Sequence, residues 1–139
     1  MNADKALCDA YLQTIYRVLD TPQRVDIRIG EHCAALDRLL EAYGVREWAF
    51  VTANNPRSRP LPDRENARRN AEMKQSLQQA GWHVLEAIGL PPDNRWRAEA
   101  SMLIPGMDRD TATSIALRWG QNAFVHGAIG QPAELVWVI

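Results

Sequence analysis

Between Trp48 and Gly127 the hydrophobic periodicity spells strand, helix, strand, strand, helix, strand, and this order most restricts the folds open to the chain. A helix between two strands of one sheet is a crossover, and two such units sharing a hairpin read as a βαββαβ, ferredoxin-like split βαβ core. Its first strand, Glu47–Ala53, runs into a loop from Asn54 to Pro62 whose three prolines no helix interior or central strand accepts. Asp63 is then expected to cap a helix reaching about Ala80, with Gly81 closing it. Trp82–Ile88 and Trp96–Ile104 read as strands around the turn chemistry of Pro91-Pro92-Asp93-Asn94. Asp108 caps the second helix, Gly120 stops it, and Phe124–Ile129 is the last strand of the unit.

The flanks add to this core. Leu7, Tyr11 and Ile15 share one face of a helix that Asp4 would cap, ending near Thr14. Tyr16–Val18 and Val25–Ile29 alternate about Asp20-Thr21-Pro22 as a hairpin, and Glu31–Tyr43 is a helix stopped by Gly44. Leu135–Ile139 is a final strand. With 139 residues, 46% of them hydrophobic, the chain is sized for one core. The expected fold is a single α+β domain over residues 1–139, its mixed or antiparallel sheet covered by helices.

Charge and composition exclude several roles. Sixteen Lys+Arg against seventeen Asp+Glu leave a net charge of -1, without the broad positive field that sequence-independent nucleic-acid binding uses. Cys8 and Cys33 form no disulfide framework, and His32, His83 and His126 share no ligand spacing, so neither a metal nor a cofactor is expected. The segment MNADKALCDA lacks an apolar signal core, and no run approaches a membrane span, so a cytoplasmic location away from membranes is the expectation.

If the strands pair as the βαββαβ order implies, four polar segments meet at one edge of the sheet. They are Asn54, Asn55, Arg57 and Ser58 in the loop; Asn66 and Asn70 on the following helix; Glu99 and Ser101; and Gln121 with Asn122. The two helical asparagines extend the stripe of Met73 and Leu77, placing amides on a face that should be buried. They either fix the neighbouring loop or face a ligand. Arg57 beside a helix N-terminus suits an anion. Glu99 is either an exposed carboxylate on the wet face of its strand or, if it faces the cleft and is desolvated, a general base or a hydrogen-bond acceptor, with Arg57, Arg95 and Arg97 as its counter-ions. From Arg57 to Lys74 six basic residues stand against three acidic ones, a solvated helix face or a basic rim with Trp96 as a stacking surface.

Thr52 to Leu61, reading TANNPRSRPL, together with Asn66 and Asn70, Glu99-Ala100-Ser101 and the WGQNA of Trp119–Ala123, resembles a bacterial family catalogued as domain of unknown function 3293. The likeness extends from Tyr11 to the last strand, with Asn54 standing where that family's pattern is expected to carry an aromatic residue. It implies no activity, but its motifs are the same four segments. Three readings remain open. One is a binding or regulatory module for a small anionic or nucleotide-like ligand. The second is an enzyme on such a ligand, with Glu99 as base and Arg57 and Asn55 stabilising charge. The third is a protein-interaction module, a homodimer through the edge strand Leu135–Ile139.

Overall fold

Seven short segments become strands: β1 (Ile15–Val18), β2 (Val25–Ile27), β3 (Glu47–Val51), β4 (Leu85–Leu90), β5 (Glu99–Pro105), β6 (Ala123–Ala128) and β7 (Glu134–Trp137). Four helices accompany them: α1 (Lys5–Gln13), α2 (Ala34–Tyr43), α3 (Asp63–Gln79) and α4 (Arg109–Arg118). This computed structural model describes residues 5–94 and 96–139. Asp4, read as a cap, and Arg95, read as a partner of Glu99, lie outside the described residues.

The strands form one sheet in the order β2-β1-β4-β5-β3-β6-β7, each pair of neighbours antiparallel. β3 and β5 are neighbours at its middle, with Phe50 opposite Leu103. The hairpin β1–β2 joins at the β4 edge and β7 at the β6 edge, so the sheet is wider than the four strands of the sequence pattern. It curls into a half-barrel. At one end its two edges meet, where Ile29 bridges Ala133 and the Gly30 N–H donates to the Ala133 carbonyl at 2.8 Å.

Both faces of this sheet are covered, so the middle strand β3 is buried from Trp48 through Val51 rather than alternating with solvent. The inner face carries Tyr16, Ile27, Trp48, Phe50 and Leu103 in one cluster with Leu36 and Leu40, the i and i+4 residues of α2. The outer face carries Ala49, Val51, Met102 and Ile104, against Met73 and Leu77 of α3 and Ala112 and Ala116 of α4. Gly44 ends α2 in the left-handed region at φ 70°, and Asp108 caps α4 by accepting from the Thr111 N–H.

Several expected boundaries move, each for a physical reason. α2 begins at Ala34 instead of Glu31, because the Glu31 carbonyl accepts from the Ala133 N–H in the edge closure. Asp63 is the first residue inside α3, not its cap; Pro62 occupies the cap position, and the Asp63 carboxylate pairs with Arg97 at 3.1 Å. β4 starts at Leu85, since the Trp82 N–H still donates to Leu77 at the end of α3, and it continues through Gly89 and Leu90 because β1 pairs with them. β5 starts at Glu99, leaving Trp96 in the preceding loop. Among the described residues no helix is long and apolar enough to cross a membrane.

Trp48 lies on the inner face directly opposite Gly127. A Cβ at position 127 would sit 2.7 Å from Trp48 Cζ2, and the ring, 2% exposed, has no room to retreat. Gly127→Ala is therefore expected to cost about 1–3 kcal/mol and lower the melting temperature by several degrees, measured by thermal denaturation.

Candidate functional site

α2 fills only part of the half-barrel. At the other end, where β3 and β4 finish and β5 and β6 begin, register places Tyr16, Gly89 and Glu99 opposite one another across three strands, so all three share the inner face. The residue between a tyrosine and a glutamate thus has no side chain. A Cβ at Gly89 would meet nothing nearer than Thr14 Cγ2 at 3.8 Å. The space left over is a cavity of about 580 Å³, within the range of small-ligand pockets. Its apolar wall includes Phe50, Val125 and Phe124, and α1 roofs it with Leu7, Ala10 and Tyr11.

The polar wall is the loop after β3. Asn55, Arg57 and Ser58 all adopt positive φ, at 44°, 55° and 60°, a conformation that side chains other than glycine take only when their surroundings impose it. α3 imposes it first. Asn66 Oδ1 accepts from the Asn55 N–H at 2.9 Å, and Asn66 Nδ2 donates to Asn55 Oδ1 at 2.8 Å. One turn on, Asn70 Oδ1 accepts from the Ala53 N–H at 2.9 Å while its Nδ2 donates to Asn54 Oδ1. The end of α4 holds the other side. The Arg57 N–H donates to the Gly120 carbonyl, Arg57 Nη1 to the Gln121 carbonyl at 2.8 Å, and Gln121 Nε2 to the Asn54 carbonyl at 2.9 Å. Gly120, at φ 74°, lies so close that a Cβ there would be 2.9 Å from Pro56 Cβ. Arg69 Nε donates to the Ala53 carbonyl and its guanidinium lies 5.5 Å over the Trp119 ring, tying α3 to both segments.

The four polar segments do meet. Asn54, Asn55, Ser58, Asn66, Glu99, Ser101, Gln121 and Asn122 line the cavity, whereas Arg57 and Asn70 stand behind it. Asn54, Asn66, Ser101 and Gln121 are buried. Ser101 Oγ donates to the Glu99 carbonyl, and Asn122 Nδ2 donates to Ser58 Oγ at 3.0 Å while its buried Oδ1 has no partner among the described residues. Among the described residues, the one hydrogen bond that the Glu99 carboxylate accepts is a long one, from Asn55 Nδ2 at 3.5 Å. Burial pushes this carboxyl up from 4.5 to about 7, with the Asn55 bond acting weakly against it.

Sequence reasoning did not find Tyr11, Tyr16 or Gly89. Burial, then the charge of Glu99, pushes the Tyr11 phenol up to about 12, with a hydrogen bond to Ser58 acting the other way. Tyr16 is also raised, mainly by burial, and its hydroxyl donates to the Tyr11 carbonyl at 2.8 Å. Gly89 becomes a signal only once β1 is seen to pair with it, since a glycine inside a strand marks a place where something other than a side chain fills the space.

A family model described as protein of unknown function (DUF3293) matches residues 51–124. The chain belongs to the DUF3293 family. The matched segment runs from the end of β3 to the start of β6, so all the candidate residues from Asn54 to Asn122 fall inside it, whereas α1 and β1 with Tyr11 and Tyr16 fall outside. No curated protein and no solved structure matches the chain.

Two expectations follow for this DUF3293 protein. Asn70→Leu strands the fully buried Ala53 N–H and Asn54 Oδ1, so its melting temperature should drop by several degrees, corresponding to about 1–3 kcal/mol; an unchanged melting point would mean that the amide is not holding the loop. The second concerns pH. Between 4.5 and about 7 the folded protein retains a Glu99 proton that the unfolded chain has lost, so this group makes stability fall as pH rises through that window, with no further loss above it. Glu99→Gln should remove that slope and melt higher than the parent above the window, read by denaturation across a pH series.

Proposed function

We propose that the chain is a binding module for a small molecule and that the open end of its half-barrel is the binding site. One observation carries this reading: a carboxyl with one long hydrogen bond among the described residues faces a ligand-sized cavity among aromatic rings, beneath a loop held in an unfavourable backbone conformation. Asn55, Ser58 and Asn122 supply further donors and acceptors on the same wall. The flat ring of a nucleotide-like ligand is supported by Trp96, which lines the cavity where a ring could stack. An anionic group finds less support, because Arg57 donates to the Gln121 carbonyl and the Arg57, Ser58 and Arg59 N–H groups all donate to carbonyls of the loop and of Gly120. In this reading Asn66, Asn70 and Arg57 position the loop and do not touch the ligand.

A second reading, an enzyme with Glu99 as general base, is favoured by one feature. A carboxyl held near 7 is divided between both protonation states at neutral pH, which suits proton transfer better than an ordinary glutamate. It would give a rate that rises with pH through that value and is lost in Glu99→Gln.

Gly89→Leu tests the binding role, since the new side chain would occupy the cavity between Tyr16 and Glu99. In a fragment screen read by melting temperature and by amide NMR shifts, compounds perturbing Tyr16, Asn55 and Glu99 are expected to stabilise the wild type. A hundredfold excess over Kd corresponds to about 2.7 kcal/mol. The same compounds should leave Gly89→Leu unmoved. Hits that act equally on both proteins, or map to another surface, overturn the cavity as the site.

A further inference from the structure

We propose that the cleft takes a planar cation, an amidinium or guanidinium group carried on a flat ring, with the Glu99 carboxylate as its partner. This inference rests on the binding role above and names the chemistry of the ligand. It comes from accounting for the charges that face the cavity. Among the described residues, those lining it with ionisable side chains are Tyr11 from α1, Tyr16 from β1, Asp63 from α3, Arg97 from the loop before β5 and Glu99 at the start of β5. Arg97 and Asp63 pair with each other at 3.1 Å, both side chains more than three-quarters exposed and so screened by solvent. Both tyrosines keep their protons at neutral pH. The wall formed by the loop after β3 and the start of β6 is polar but uncharged, with Asn55, Ser58 and Asn122. Arg57 and Arg69, the two cations packed against that loop, donate to carbonyls on its far side and do not line the cavity.

Among the described residues, the cavity therefore holds one carboxyl without a cationic partner, Glu99, and no cation without a carboxylate partner. An anion entering it would meet Glu99 with, among the described residues, only the already partnered Arg97 to offset the repulsion, which is costly where the site is desolvated. A cation supplies what Glu99 lacks. A planar fork of N–H groups matches two carboxylate oxygens, and the rings of Tyr11 and Trp96 line the space a flat body would occupy. Asn122 Oδ1, buried and without a partner among the described residues, is a further acceptor on the same wall.

Binding a cation requires the carboxylate, so the ligand displaces the Glu99 proton. Affinity should rise up to tenfold per pH unit below about 7 and level off above it.

Three probes of one shape separate the alternatives: benzamidine, benzamide and benzoate, titrated into the protein above pH 7 and followed by the amide shifts of cleft residues. Benzamidine is expected to bind at least about tenfold tighter than either analogue, a difference of about 1.4 kcal/mol. Glu99→Gln should bring benzamidine down to the level of benzamide, and its amide spectrum shows whether the variant is folded. Benzamide binding as tightly as benzamidine, or benzamidine indifferent to Glu99→Gln, overturns the cation preference. Benzoate binding tightest overturns the inference while leaving the cavity as a binding site. No perturbation of cleft residues by any of the three also overturns it, and the screen against Gly89→Leu then decides the binding role separately.

Discussion

The closure of the sheet at Ile29 and Ala133 is the constraint from which the other features follow. A flat seven-stranded sheet with α3 and α4 on one face would need a second layer of helices on the other. Curling gives the inner face a smaller interior instead, and α2 alone, through Leu36 and Leu40, fills one end of it. No element of comparable bulk enters the other end. What lies there is Gly89 between Tyr16 and Glu99, with α1 laid across the opening. The cavity is the part of a curled sheet for which the chain supplies no side chains.

The loop after β3 depends on that geometry and also on amides contributed from outside it. Three residues at positive φ in a stretch of four are not a conformation this loop would hold unaided. Asn66 and Asn70 replace the missing backbone partners from the α3 side, and Gly120 and Gln121 do so from the end of α4. Because every participant is satisfied by another, the network acts as one unit, and removing one amide exposes several unmet groups at once. Ser58 and Asn55 are thereby fixed at the cavity wall although Asn55 lies in no helix or strand and Ser58 only ends a single 3-10 turn, Pro56–Ser58.

Much of this was legible in the sequence, for reasons that differ between elements. The stops of α2 and α4 were readable because Gly44 and Gly120 act locally, and the Asp108 cap was readable because its partner is three residues away. Convergence of the four polar segments followed from strand order, which periodicity exposes. Other features depend on partners far away in the chain. Gly89 resembles the start of a loop until β1 is known to pair with it, and Glu31 resembles the first turn of a helix until Ala133 takes its carbonyl. The asparagine stripe announced that something polar was needed on a buried face, but whether a ligand or a loop met it depended on atomic positions that no spacing rule supplies. The curl itself had no sequence signal, since it arises from edges that meet only after the whole sheet is formed.

That closure also bears on how the protein is made. The chain leaves the ribosome from its N-terminus, so the β1–β2 hairpin emerges long before β4, the strand that covers one of its edges, and before Ala133, which reaches the other. Until then the hairpin has apolar residues on one face and unpaired backbone on both sides, the state in which strands associate with the wrong neighbour. Charges sit within it: Arg17 faces Asp26 across the ladder at 2.7 Å, and Arg24 reaches the same carboxylate at 3.3 Å. In the finished half-barrel these pairs contribute little to stability, being partly exposed. Their greater consequence is during synthesis, when they give a waiting edge a charged surface that discourages pairing with another nascent chain.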